Sequence, residues 1–126
     1  MLKKVLLLDT DNNVLASYSR QLKNAFDIIA ADSGEKGLEI FRANKDIAAV
    51  VSELNLSKIK GLSFFEKSKD LFPNSIRRVL TGYLDQKSII EVDNSAGVSG
   101  LLFKPCSIDS IKNSIEDGLK NGKSNR

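Results

Sequence analysis

The sequence predicts a single α/β domain in which five strands and five helices alternate and the strands form one doubly wound parallel sheet. Three observations lead to this prediction. The chain has 126 residues, which is the size of one ordinary domain and enough to bury a hydrophobic core. It is 41% hydrophobic and 28% charged, as globular proteins are. Short apolar runs alternate with stretches of helical spacing, which favours parallel strands joined by right-handed helical crossovers.

The predicted strands are runs that are mostly apolar on consecutive residues, as expected where helices cover both faces of a sheet. In chain order they are Val5–Leu8, Ile28–Ala31, Ile47–Val51, Ile76–Leu80 and Leu101–Phe103.

The predicted helices lie after these runs and have apolar residues three or four positions apart. The first has Val14, Leu15, Tyr18 and Leu22 on one face. The second helix is predicted from Leu38 and Phe41, and the third from Leu62, Phe65 and Phe72. A less regular fourth helix is indicated by Ile89, Ile90 and Val92. The last has the clearest stripe, formed by Ile108, Ile111, Ile115 and Leu119. Ser33, Asp85 and Ser107 are expected to be N-caps, and Asn44, Gly61 and Gly82 to lie in turns.

Composition excludes several classes of function. The chain has no histidine and one cysteine, Cys106, which excludes histidine nucleophile systems, a phospho-accepting histidine, imidazole metal sites, a CxxC motif and an intramolecular disulfide. A lone thiol fits a reducing cytosol, and we expect a cytoplasmic protein. The longest apolar run, Ile47–Val51, is far shorter than the ~20 residues that span a bilayer, so no membrane contact is expected.

The net charge of +3 comes from the end of the chain. Residues 120–126 hold three basic side chains and no acid, whereas residues 1–119 hold equal numbers of both. We therefore expect a domain over 1–119 and a basic tail or linker over 120–126. A nucleic-acid partner is not expected, because a binder would carry a basic stripe on its folded body.

In a sheet of this kind a site forms beyond the carboxyl ends of the strands. The residues at those ends are Asp9, Thr10 and Asp11; Asp32; Ser52 and Glu53; Thr81 and Gly82; Lys104 and Pro105. Acidic, hydroxyl and amine side chains are thus predicted to meet at one edge.

These motifs resemble the receiver domain of bacterial two-component response regulators. The resemblance spans residues 3–119 and rests on Leu6-Leu7-Leu8-Asp9, on Val51-Ser52-Glu53-Leu54-Asn55-Leu56 with Gly61, on Leu80-Thr81-Gly82 and on Phe103-Lys104-Pro105. It implies a flavodoxin-like fold with strand order 2-1-3-4-5. It also implies a signalling module, not an enzyme.

The resemblance assigns roles to the residues at the sheet edge. In the family an aspartate after the third strand accepts a phosphoryl group, and Mg²⁺ is held by acids after the first strand, by that aspartate and by a carbonyl two residues on. A hydroxyl after the fourth strand and a lysine after the fifth bind the phosphoryl oxygens. Here Thr81 and Lys104 match, and Asn55 would supply the carbonyl.

Two departures affect the same site. Glu53 replaces the acceptor aspartate, and its extra methylene moves the carboxylate by roughly 1.5 Å. The acid pair after the first strand is Asp9-Thr10, with Asp11 one residue later. The family's switch aromatic, three residues before the lysine, is replaced by Leu101, and Tyr83, two residues after Thr81, is the nearest aromatic to that hydroxyl in sequence. We expect no cofactor, or at most weak Mg²⁺ binding through Asp9, Glu53 and Asn55, and we expect Glu53 within ion-pair distance of Lys104.

The preferred interpretation is a phosphorylation-independent or locked receiver that acts through protein contacts. Its partner would be a sensor kinase or an output domain, bound at the face of the fourth predicted helix, the fifth strand and the last helix, which would also serve in any homodimer. Two alternatives stay open: a conventional Mg²⁺-dependent phosphoacceptor, and a flavodoxin-like binder of a small anion at Thr81 and Lys104.

Simpler interpretations of single residues also stay open. Lys104 could form a structural ion pair with Asp9 and Glu53. Asp9 and Asp11 could cap the first helix. Thr81 could be a turn residue.

Overall fold

The structure, a computed structural model, describes residues 2–53, 75–81 and 101–121, with the backbone alone for Thr81, Leu101 and Asn121. In these residues five strands form one sheet, and every neighbouring pair is parallel. The strands are β1 (Lys4–Leu8), β2 (Asp27–Ala31), β3 (Ile47–Ser52), β4 (Ile76–Thr81) and β5 (Leu101–Phe103). Their order is β2-β1-β3-β4-β5, which confirms the predicted topology.

Three helices are described: α1 (Asn12–Leu22), α2 (Gly34–Ala43) and the last helix (Ile108–Asn121). The last helix extends past the domain boundary expected at residue 119, and where the domain ends stays a prediction. The third and fourth predicted helices, with Gly61, Gly82 and Asp85, lie outside the described residues.

The caps of the described helices are polar side chains next to the first turn. Ser33 Oγ accepts a hydrogen bond from the Lys36 N–H at 3.2 Å, and Ser107 Oγ accepts one from the Ser110 N–H at 3.1 Å. Two of the three predicted caps, Ser33 and Ser107, are therefore confirmed. Asp11 caps α1, because its carboxylate accepts from the N–H groups of Asn13 and Val14.

The core lies on both faces of the sheet. Val5 and Leu7 point to the face that α1 and the last helix cover, and they pack there with Leu15, Ile111 and Ile115. Successive strand residues point to opposite faces. Leu6 and Leu8 are buried as well, so β1 has the two covered faces that its unbroken apolar run predicts.

The last helix is docked onto β4 by a buried arginine. Arg78 is 5% exposed, and its guanidinium donates to Ser114 Oγ at 2.8 Å and to the Ser114 carbonyl at 3.0 Å. Burial lowers the pKa of Arg78, while the charge of Asp117 opposes that effect. Gly118 leaves room for this group, since a Cβ there would lie 2.6 Å from Arg78 Nη2.

Candidate functional site

The backbone fixes two acidic residues at the carboxyl edge of the sheet. Asp9 follows β1, and its N–H donates to the Ala31 carbonyl at 3.3 Å. Glu53 follows β3, and its N–H donates to the Leu8 carbonyl at 2.9 Å. Because the strands are parallel and adjacent, these bonds place the two side chains next to each other above the ends of β1 and β3.

Lys104 completes the cluster from β5. Its ammonium donates to Asp9 Oδ2 at 2.5 Å and to Glu53 Oε1 at 3.0 Å. The exposed fraction is 20% for the Lys104 side chain, 5% for Asp9 and 11% for Glu53. One shielded cation thus contacts two shielded carboxylates, which confirms the predicted proximity of Glu53 and Lys104. We call these three residues the ion-pair site.

The protonation of Lys104 follows from this environment. Burial lowers the pKa of its ammonium, but the hydrogen bonds to Asp9 and Glu53 and the charges of both carboxylates outweigh burial. The net effect raises the pKa above its ordinary value of 10.5. Lys104 is therefore fully charged near neutral pH.

The second oxygen of Asp9 is also engaged. Asp9 Oδ1 accepts a hydrogen bond from the Asp11 N–H at 2.9 Å. Asp11 itself is exposed and directs its carboxylate to the first turn of α1, as the simpler interpretation of that residue predicts. Thr10, between the two acids, is exposed and has no carboxylate to offer.

Ser52 is a contributor that sequence reasoning left without a role. It is completely buried, and its hydroxyl donates to the Glu53 carbonyl at 3.0 Å. This bond orients the backbone at the position that carries the glutamate. A hydroxyl at the end of an otherwise apolar strand is the sequence signal that could have identified it.

The remaining predicted site residues lie partly outside the described residues. Thr81 ends β4 and pairs with Phe103, and Leu101 pairs with Val79 in the same ladder. Asn55 and Tyr83 fall outside the described residues. The roles assigned to these four residues stay predictions.

The ion-pair site has two described carboxylates, and both contact the Lys104 ammonium. Within residues 2–53, 75–81 and 101–121, no group of three or more acidic, histidine or cysteine side chains could hold a metal ion. Mg²⁺ requires near-octahedral oxygen ligands, whereas one oxygen of each carboxylate here already accepts from the Lys104 ammonium. In this structure Lys104 is thus the cation that the two carboxylates contact.

None of the helices within the described part of the chain is both long enough and apolar enough to cross a membrane.

Comparisons with known proteins agree with this architecture. The hydrogenase transcriptional regulatory protein HoxA of Bradyrhizobium diazoefficiens is 23% identical over 119 residues, which cover 92% of this chain and 24% of HoxA. HoxA of Cupriavidus necator is 22% identical over 116 residues, which cover 89% of this chain and 24% of that HoxA. The chain thus spans about a quarter of the length of these curated relatives.

Solved structures of similar fold include a response regulator receiver domain protein from Clostridium thermocellum, with a TM-score of 0.88, 24% identity and coverage of 95% of this chain and 96% of that one. An adenylate cyclase from Rhodopirellula baltica has a TM-score of 0.87 and 27% identity, and the match covers 95% of this chain and 89% of the cyclase chain. The sequence pattern of the response regulator receiver domain matches residues 5–116, and the chain therefore belongs to the receiver domain family of two-component response regulators.

Proposed function

We propose that this receiver domain signals without accepting a phosphoryl group, through protein contacts made by a single resting conformation. The observation that carries the proposal is the double ion pair of Lys104, whose ammonium donates to Asp9 and Glu53 at once. In the family this lysine binds phosphoryl oxygens, and here glutamate and aspartate oxygens take that place.

The position of Glu53 supports the proposal. Its N–H donates to the Leu8 carbonyl, which holds the backbone in place. The extra methylene therefore moves the carboxylate, and Glu53 Oε1 lies 3.0 Å from the Lys104 ammonium. A carboxylate that attacks phosphorus needs an oxygen placed to within about 0.5 Å of the productive geometry. A displacement of roughly 1.5 Å from the added methylene exceeds that tolerance.

The charge of the site supports it as well. A phosphoryl group brings negative charge that a receiver neutralises with a divalent cation and a lysine. Here the lysine is already shared between two carboxylates, and we expect these two carboxylates to bind Mg²⁺ weakly. An incoming phosphoryl group would therefore face uncompensated repulsion.

A protein is the partner that this proposal requires. The HoxA relatives are transcriptional regulatory proteins of which this chain spans 24%, so an output domain is one such partner and a sensor kinase is another. The expected contact face includes β5 and the last helix. Phe103 on β5 is 54% exposed, which provides an apolar contact on that face.

The first experiment measures phosphorylation directly. The chain is incubated with acetyl phosphate and MgCl₂, and its intact mass is recorded before and after hydroxylamine treatment. We expect an unchanged mass for the wild type. The double variant Thr10→Asp/Glu53→Asp restores the family's acids and should gain one hydroxylamine-labile phosphoryl group.

The matched control is Thr10→Asp/Glu35→Asp, in which the same shortening of a glutamate occurs at an exposed position of α2. It should stay unmodified. A wild-type chain that gains a labile phosphoryl group on Glu53 would show a conventional phosphoacceptor and refute the proposal. Stabilisation of the wild type by phosphate without covalent change would favour the anion-binding alternative instead.

A second experiment tests the single conformation. Glu53→Gln removes a charge and keeps the shape, so we expect amide chemical-shift changes confined to the neighbours of the ion-pair site in ¹⁵N spectra. Glu35→Gln is the matched control. Large shifts along β4 and β5, absent in the control, would mean that Glu53 mimics phosphorylation and holds a second state.

A further inference from the structure

A groove lies at the end of the sheet opposite the ion-pair site, between the last turn of α1 and the start of β2. Its volume is about 630 Å³. We call it the basal groove, and the residues that line it are Leu2, Ser19, Arg20, Lys23, Phe26, Asp27 and Ile28. None of these residues takes part in the ion-pair site, so the inference below is independent of the proposed function.

The wall of the basal groove is apolar. Phe26 is buried and Ile28 is partly buried, while Leu2 is 48% exposed. Among the described residues, Leu2 and Phe103 are the exposed large hydrophobic side chains. Leu2 and Ile28 thus give the groove an apolar surface that an apolar side chain can contact.

One residue of the groove has a buried hydroxyl. Ser19 Oγ is buried, and within the described residues it is the side-chain oxygen or nitrogen that is buried without a hydrogen-bond partner. Ser19 also lines a second cavity of about 270 Å³ further along α1. Because this oxygen is buried, a ligand in the groove does not contact it.

The rim of the groove is basic. Arg20 and Lys23 are exposed, and Asp27 is the acidic residue among the groove's lining. Lys3, next to Leu2, is exposed as well. This excess of positive charge excludes two occupants by electrostatics. The basic tail over 120–126 would be repelled, and a second copy docked groove to groove would bring like charges together.

We propose that the basal groove docks a segment of a partner protein in which an apolar side chain is flanked by acidic side chains. The apolar group would pack against Leu2 and Ile28, and the acids would pair with Arg20 and Lys23.

The test is a selection of short random peptides displayed on phage, using the full chain as bait. We expect enrichment of peptides with a large apolar residue next to aspartate or glutamate. Synthetic versions should bind Arg20→Glu/Lys23→Glu at least about tenfold more weakly than the wild type, since two rim ion pairs become repulsive. Leu2→Ala should also weaken binding. In ¹⁵N spectra, the peptides should shift the amides of Ser19, Lys23 and Ile28.

The matched control is Arg42→Glu/Lys45→Glu, an equal change of charge at exposed positions at the end of α2 and just after it, which should keep the wild-type affinity. Unchanged melting temperatures would show that both double variants fold. The proposal is overturned if no peptide is enriched, if the enriched peptides are basic, or if they bind Arg20→Glu/Lys23→Glu as tightly as the wild type. Binding of anionic phospholipid vesicles or of an oligonucleotide, lost in the same variant while acidic peptides fail, would assign the groove to that ligand and refute a protein partner.

Discussion

Replacing Lys104 by methionine tests the physical core of the site. Methionine keeps an unbranched side chain of similar length and removes the ammonium that lies 3.0 Å from Glu53 Oε1. The variant leaves Asp9 and Glu53 facing each other, 5% and 11% exposed, without a cation between them.

The expected cost follows from the burial of the cluster. Removal of one partner from a buried ion pair costs about 3–5 kcal/mol, because the remaining charge is buried and uncompensated. The Lys104 side chain is 20% exposed, and water or a proton can partly relieve the two carboxylates. We therefore expect the lower end, about 3 kcal/mol of unfolding free energy near neutral pH.

The assay is urea unfolding followed by circular dichroism, with linear extrapolation and a comparison of m-values to verify that the folded state is unchanged. The triple variant Asp9→Asn/Glu53→Gln/Lys104→Met replaces every charge by a neutral group of similar shape. It should lie within about 1.5 kcal/mol of the wild type, because a buried ion cluster has little net stabilising effect relative to neutral packing.

Lys36→Met is the matched control, since it removes an exposed lysine whose ammonium lies 3.1 Å from Asp32 Oδ1. Exposed pairs contribute about 0–1 kcal/mol. If Lys104→Met costs no more than Lys36→Met, the double ion pair does not balance buried charge and the reasoning is wrong.

Three other predictions concern pH, metal and packing. The pKa of Lys104 is raised above 10.5. The stabilising effect of the charged ammonium is therefore complete below pH 10.5 and is lost as the pH rises through the folded-state pKa. In urea titrations above pH 10.5, the difference in unfolding free energy between the wild type and Lys104→Met should shrink. Millimolar MgCl₂ should leave the wild-type melting temperature unchanged and raise that of Thr10→Asp, which gains a carboxylate ligand; equal shifts in both would contradict the weak Mg²⁺ binding expected of the wild type. Gly118→Ala should destabilise by about 1–3 kcal/mol through overpacking, because its Cβ would lie 2.6 Å from Arg78 Nη2; a urea midpoint equal to that of the wild type would show that the arginine moves aside freely.

The sheet was predictable because its strands are apolar on consecutive residues. Four of the five described strands are one residue longer than the predicted run. The extra residue comes first in β1 (Lys4) and β2 (Asp27), and it comes last in β3 (Ser52) and β4 (Thr81). These four residues are polar, so a search for apolar runs stops before them, whereas backbone pairing to the neighbouring strand continues.

The arginine in β4 shows where sequence reasoning ends. Arg78 lies within a predicted buried strand, and charged residues are almost never fully buried without partners. Its partner, Ser114, is 36 residues away in the last helix, and the space for it depends on Gly118. No local pattern relates these three positions, because the contact exists only once the helix packs on the sheet.

The candidate site was predicted in part. The rule that sites form at the carboxyl ends of parallel strands placed Asp9, Glu53 and Lys104 together, and the contacts of Lys104 agree. The position of Asp11 was ambiguous, because an aspartate before a helix serves equally as a cap or as an acid of the site. The hydrogen bonds to Asn13 and Val14 assign its carboxylate to the cap.

The number of carboxylates at the sheet edge explains why a lysine can act as the resident cation. Asp9 and Glu53 carry two negative charges against the single positive charge of Lys104, so one net negative charge remains, and the hydrogen bond from the N–H of Asp11 to Asp9 offsets part of it. A third carboxylate at position 10 would double that excess at the sheet edge, and a divalent cation would then be the natural way to balance it. The neutral Thr10 and the longer Glu53 therefore act on the same charge balance. With one acid fewer, the Lys104 ammonium offsets most of the negative charge, and the added methylene brings the Glu53 carboxylate within hydrogen-bonding distance of that ammonium. The two substitutions should accordingly be non-additive, and Thr10→Asp should increase metal affinity more strongly when Glu53 is shortened to aspartate than when it is left in place.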